Sequence, residues 1–226
     1  MKFTTGRLLV VLLLCSFITR VLGAGAPHDF ARWEKDISAY EQAAKTNPPP
    51  AGAALFVGSS TILRWKTLAE DFAGHRVINR GFGGSEIEDA THFAERLVIP
   101  AAPRVVFLRS GGNDLHNGKS AERVFDDYKA FVQKVQAHLP DTEIIFIGLS
   151  PSIARWDQHD REQELNRLIA EHVKRSPKLK YIECYDSVLG ADGKPRPELF
   201  VADKLHFSLE GYKLLVERVR PFLPKD

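Results

Sequence analysis

Ala53-Ala54-Leu55-Phe56-Val57-Gly58-Ser59-Ser60-Thr61, residues 53–61, is an apolar run that gives way abruptly to small residues. Five apolar residues are too few for a helix but suit a strand buried on both faces. The change to Gly-Ser-Ser marks a loop at its carboxyl end. The same grammar recurs, and residues 76–78, 105–108, 143–147 and 180–184 read as four more strands. Helical patterns fill the intervals. Residues 30–45 alternate apolar and charged side chains and stop at Asn47-Pro48-Pro49-Pro50. Residues 120–139 set Val124, Tyr128, Phe131, Val132, Val135 and Leu139 on one face, and residues 163–173 do so with Leu165, Leu168, Ile169 and Val173. A last helix opens at Ser208, a good N-cap, and carries Tyr212, Leu215, Val216 and Val219 inward. This alternation predicts an α/β fold, a three-layer α/β/α sandwich around a parallel sheet of about five strands.

Composition narrows the class. With 226 residues, 44% hydrophobic and 27% charged, the chain suits one α/β domain and excludes a disordered chain or a disulfide-held miniprotein. Residues 1–26 read as a secretory signal peptide. Lys2 and Arg7 precede an apolar run over 8–18, and small residues near 23–26 offer cleavage sites. Residues 27–226 then form a single domain with an N-terminal helix, secreted or periplasmic, with no stable membrane insertion once the leader is cut; the alternative is a leader retained as an N-terminal membrane anchor. Lys2, Arg7 and Arg20 are the only charges in the leader, so the formal charge of +2 becomes −1 without it. A near-neutral body argues against nucleic acid as a partner. Cys184 is the one cysteine beyond the leader, which excludes an intramolecular disulfide there; its strand-like setting predicts a packed thiol. No Cys/His group has zinc spacing, and neither metal nor cofactor is expected.

In parallel sheets the working residues gather on loops beyond the carboxyl ends of the strands. Three such loops stand out: Gly58-Ser59-Ser60, Gly81-Phe82-Gly83-Gly84-Ser85 and Gly111-Gly112-Asn113-Asp114. A fourth, Asp203-Lys204-Leu205-His206, precedes the last helix. Ester hydrolysis needs such a set. A serine hydroxyl is a weak nucleophile until an imidazole takes its proton, and a carboxylate must orient that imidazole. Asp203 and His206 stand close enough for one tight loop, and Ser60 at the end of the first strand can meet them. The N–H groups of Ser60 and Gly84 and the Asn113 amide supply donors for an oxyanion. Arg155-Trp156, after the fourth strand, and His116, after the third loop, are candidates for the substrate pocket.

These blocks, in this order, resemble the SGNH hydrolase superfamily of GDSL-type esterases and lipases. Gly58-Ser59-Ser60, Gly83-Gly84-Ser85, Gly111-Gly112-Asn113-Asp114 and Asp203-Lys204-Leu205-His206 are similar to its four blocks, and the separations look like the branch of platelet-activating-factor acetylhydrolase subunits. The resemblance implies a flavodoxin-like fold, Ser60 as nucleophile, Asp203 and His206 as its partners, and Ser60, Gly84 and Asn113 as the oxyanion hole. Ser59 departs from the pattern, standing where the family usually has Asp, and raises the question of which serine attacks. The implied activity is a serine esterase acting on acyl or acetyl esters of lipids, sugars or small alcohols, with a small-molecule or carbohydrate ester as partner. Alternatives that use the same residues are a carbohydrate O-acetyltransferase, a lysophospholipase or thioesterase, and a non-catalytic binding module. Other motifs fail: Gly118-Lys119-Ser120 lacks the earlier glycine of a phosphate loop, Gly81-Phe82-Gly83-Gly84 lacks the third glycine of a dinucleotide fingerprint, and no Gly-x-Ser-x-Gly occurs.

Overall fold

The computed structural model describes residues 28–224; the expected leader, residues 1–26, lies outside them. Five strands form one sheet, β1 (Ala54–Gly58), β2 (Val77–Gly81), β3 (Val105–Arg109), β4 (Glu143–Ile147) and β5 (Leu179–Ile182). All pair in parallel in the order β2-β1-β3-β4-β5. Side chains alternate across it. Leu55, Val57, Val106, Leu108, Ile144 and Phe146 pack to one face. Ala54, Phe56, Val105, Phe107, Ile145 and Ile147 pack to the other. Both faces are covered, which is why these strands read as continuous apolar runs.

The first face is covered by α1 (Glu34–Thr46), α4 (Ile87–His92), α5 (Ala94–Leu97), α7 (Ala121–His138) and α8 (His159–Val173). The second is covered by α2 (Ser60–Leu63), α3 (Leu68–Asp71) and α9 (Leu209–Val219). There Phe56 stacks on Phe107 at 4.6 Å and meets Trp65 and Phe72 at 5.7 Å, all fully buried. Each such aromatic contributes roughly 1.5–3 kcal/mol through burial. A short α6 (Gly112–His116) follows β3. No helix among the described residues is long and apolar enough to cross a membrane.

Element ends differ from the sequence reading for identifiable reasons. β2 continues three residues beyond the expected end, through Asn79, Arg80 and Gly81. It is an edge strand paired only with β1, so its polar residues stay half-exposed and break the apolar pattern. β5 stops at Ile182, and Cys184 lies just past it, buried and free, its thiol pushed up to about 11 by burial. Helix α8 starts at His159, four residues before the expected start. Its inward face carries Glu162 and Asn166, buried polar residues that an apolar count misses. Residues 30–33 form a 3-10 turn before α1, capped by the Asp29 carboxylate accepting from the Ala31 N–H.

This strand order determines where a site can form. The chain leaves β1 toward β2 on one side and leaves β3 toward β4 on the other, so the two exits diverge and open a crevice beyond the carboxyl ends of β1 and β3. The Gly58-Ser59-Ser60 and Gly111-Gly112-Asn113 loops sit at those ends.

Candidate active site

Gly58 ends β1 at φ +142°, and a side chain there would run into the carbonyl oxygen of Arg109. Glycine therefore lets β1 and β3 stay paired while the chain turns into α2, whose first residue is Ser60. The Ser60 N–H lies where no intrahelical carbonyl can accept it.

A carboxylate and an imidazole are brought together within one tight loop. Phe200 and Phe207 pair as an antiparallel bridge, and the Val201 N–H donates to the His206 carbonyl at 2.9 Å. Inside that loop one carboxylate oxygen of Asp203 accepts the N–H groups of Leu205 and His206, each at 2.9 Å. Its other oxygen accepts the His206 Nδ1–H at 2.7 Å. The His206 backbone N–H, the ring and the Leu205 N–H together hold the Asp203 carboxyl well below the usual carboxylate range. With Nδ1 protonated toward Asp203, Nε2 carries the lone pair. It lies 3.0 Å from Ser60 Oγ, from which it accepts the hydroxyl proton. The Tyr212 hydroxyl, on the following helix α9, donates to the Thr61 carbonyl at 2.8 Å and ties the two halves together.

Ser59 is oriented differently. It is 9% exposed, and its Oγ accepts from Asn113 Nδ2 at 2.7 Å. The hydroxyl against the imidazole is thus that of Ser60. Asn113 departs from the simple expectation of a free amide. Its Nδ2 group also donates to the Ser85 carbonyl at 3.0 Å, so both hydrogens are engaged at rest. Binding an oxyanion requires Asn113 to redirect the hydrogen now on Ser59. Gly84 turns at φ +78°, and no protein acceptor among the described residues takes its N–H.

The cleft over these groups has a volume of about 380 Å³ and is lined by Ser60, Gly84, Asn113 and His206. Leu63, Leu149, Phe200 and Phe207 supply apolar wall, and Arg109, Arg155, Gln158 and Glu162 supply polar wall. Trp156 and His116 are not among its lining residues, contrary to the sequence expectation. Trp156 stacks on His159 at 4.1 Å beneath the Lys194 ammonium. His116 is exposed at the end of α6. The 3-10 turn at residues 156–158 carries Trp156 away and leaves its neighbour Arg155 on the cleft wall.

Arg109, Gln158 and Glu162 escaped the sequence reading. The available signal was polarity out of place: an arginine closing an apolar strand, a glutamine buried in the 3-10 turn before α8, and a glutamate on the inward face of α8. Burial pushes Glu162 up to about 7, despite the Gln158 hydrogen bond and the charges of Arg109 and Arg155. Asp114, beside Asn113, is fully buried and likewise pushed up to about 7 by burial. It accepts the Ile87 N–H at 3.1 Å and so fastens α4 to α6. His28, Glu86 and Glu88 form the one group among the described residues with donor atoms close enough for a cation. The Lys119 ammonium already lies 2.8 Å from Glu86 and 2.7 Å from Glu88, and none of the group lines the cleft.

Comparison with known proteins agrees with this architecture. The model of the GDSL-like lipase/acylhydrolase family matches residues 52–214. The platelet-activating factor acetylhydrolase IB subunit alpha1 of Homo sapiens is 24% identical over 171 residues, covering 70% of this chain and 69% of that protein. A GDSL-like lipase from Bacteroides thetaiotaomicron has a TM-score of 0.66 at 18% identity, covering 86% of this chain and 96% of that one. A carbohydrate esterase family 3 structure from Talaromyces cellulolyticus gives 0.60 at 15% identity, covering 75% and 95%. At these identities the two structures speak to the fold.

Proposed function

This chain belongs to the GDSL-like lipase/acylhydrolase family, and from that premise we propose that it is a serine esterase hydrolysing acetyl or other short acyl esters of sugars or small alcohols through an acyl-enzyme. The observation that carries the reading is the continuous path from Asp203 through His206 to Ser60, at 2.7 and 3.0 Å. In this mechanism Ser60 Oγ forms a bond to the ester carbonyl carbon while its proton passes to His206 Nε2. The carbonyl electron pair moves onto oxygen, where the N–H groups of Ser60 and Gly84 and the Asn113 amide receive it. When the tetrahedral intermediate collapses, His206 returns the proton to the departing alkoxide. Water then repeats the sequence on the acyl-enzyme, with His206 first as base and then as acid. Asp203 keeps the imidazole in the required tautomer and stabilises its charged form.

A cleft of about 380 Å³ is near the lower end of the roughly 300–1,000 Å³ typical of small-molecule sites, which favours a short acyl group. The names of the relatives, an acetylhydrolase and a carbohydrate esterase, point the same way. The leader-like pattern of residues 1–26 supports an activity outside the cytoplasm.

The test combines p-nitrophenyl acetate turnover with labelling by a fluorophosphonate. A burst equal to the enzyme concentration is expected, with label on Ser60. Ser60→Ala abolishes both, whereas Ser59→Ala retains acylation at a reduced rate. An active Ser60→Ala beside a dead Ser59→Ala would reverse the assignment, and an unlabelled native protein would remove the esterase reading.

A further inference from the structure

We propose that Arg155 is a positioning residue for the oxyanion site, locking the amide orientation of Asn113 and holding the short helix that carries it. This rests on the esterase reading above and adds to it a residue outside all four blocks.

An asparagine amide is nearly symmetric in shape but not in chemistry: one end only accepts, the other only donates. Turned the wrong way, Asn113 would present an oxygen to the developing oxyanion and repel it. Arg155 Nη1 donates to Asn113 Oδ1 at 2.9 Å. A guanidinium has no acceptor, so a reversed amide would set N–H against N–H. The Ser85 carbonyl, which only accepts, enforces the same polarity on the other side. Arg155 and Ser85 together leave a single orientation, with Nδ2 toward Ser59 and the cleft.

The helix beneath Asn113 needs outside support. α6 spans five residues, too short to be stable by its own hydrogen bonds. The segment following β4 grips it at several points. Arg155 Nη1 and Gln158 Nε2 each donate to the Gly112 carbonyl at 3.3 Å. Arg161 Nη1 donates to the Leu115 carbonyl at 2.8 Å. Of these three, Arg155 alone reaches the Asn113 side chain.

Charge adds to position. Arg155 is half-buried on the cleft wall, and none of its contacts among the described residues is a carboxylate. Its nearest acidic influences are Glu162 and Asp157, acting at a distance. A cation against Oδ1 draws electron density from the amide and strengthens Nδ2–H as a donor. The gain is greatest when negative charge develops on the substrate oxygen. Arg155 therefore acts on the transition state through Asn113.

The decisive experiment is a double-mutant cycle on native protein with p-nitrophenyl acetate and fluorophosphonate labelling. Arg155→Gln and Arg155→Ala should each lower kcat roughly 10- to 100-fold, somewhat less than loss of an oxyanion donor itself, with KM changed less than about threefold and labelling slowed in parallel. Arg155→Lys restores part of the loss, because an ammonium also donates to Oδ1 without the planar fork. Since Arg155 works through Asn113, Asn113→Ala combined with Arg155→Gln should be no slower than Asn113→Ala alone. Normal kcat in a folded Arg155→Gln, or penalties that multiply in the double variant, overturns the proposal while leaving the esterase reading intact. A native protein that neither turns over ester nor takes the label removes both together.

Discussion

Replacing Glu162 with Gln isolates the cost of a buried carboxylate. The side chain is 4% exposed; one oxygen accepts from Gln158 Nε2 at 2.7 Å, and the other has no partner among the described residues. Burial raises the group from 4.5 in the ordinary state to about 7 in the fold. Below pH 4.5 the acid is protonated both folded and unfolded, and it contributes no pH dependence. Between pH 4.5 and 7 the unfolded chain releases this proton while the native state keeps it, so the unfolded state binds fewer protons and stability falls as pH rises. Two and a half pH units at about 1.4 kcal/mol per unit come to roughly 3.5 kcal/mol, nearly all developed by about pH 8. Gln is neutral at every pH and can keep accepting from Gln158. Urea unfolding of native protein and Glu162→Gln from pH 4.5 to 9 should therefore give curves that diverge. The variant gains about 3 kcal/mol relative to the native protein on going from pH 4.5 to 8, and the other titrating groups cancel in the difference. A stability difference independent of pH would show that Glu162 is ionised in the fold throughout, and would refute the reasoning.

The remaining predictions concern neighbouring features. Asp203→Asn removes the carboxylate that orients the imidazole and should lower kcat by about 10³- to 10⁴-fold, read by steady-state kinetics with the fold checked by circular dichroism. Gly58→Ala sets a methyl against the Arg109 carbonyl at a positive φ and should cost about 4 kcal/mol or more, visible as a lowered urea midpoint. Trp156→Ala should leave kcat/KM within about twofold while losing about 1 kcal/mol of ring stacking on His159. A tenfold kinetic loss would bring that ring back to the substrate.

Gly84 shows how the proposed oxyanion site depends on residues far away in the chain. Arg32 donates to the Gly84 carbonyl at 3.0 Å, and Trp33 packs where a Gly84 side chain would lie. Tyr40, from the same N-terminal segment, donates its hydroxyl to the Gly81 carbonyl at 2.5 Å. These contacts hold the turn whose amide is assigned to the oxyanion, and they come from residues that precede the family match at 52–214.

What the sequence determined by itself is local or periodic. Runs such as residues 53–57 and 105–108 announced strands because burial on both faces leaves only apolar residues acceptable. The side chain of Ser208 caps α9, and the Asp203–His206 spacing brings carboxylate to imidazole, because both depend on atoms within four residues. Tertiary structure decided everything that joins distant segments. It brought Ser60 to His206 across 146 positions, engaged both amide hydrogens of Asn113, and turned Trp156 away while setting Arg155 on the cleft wall. It also buried Glu162 and Arg109. Periodicity records which face of an element avoids water, but not which polar group on that face finds a partner, because the partner belongs to another part of the chain.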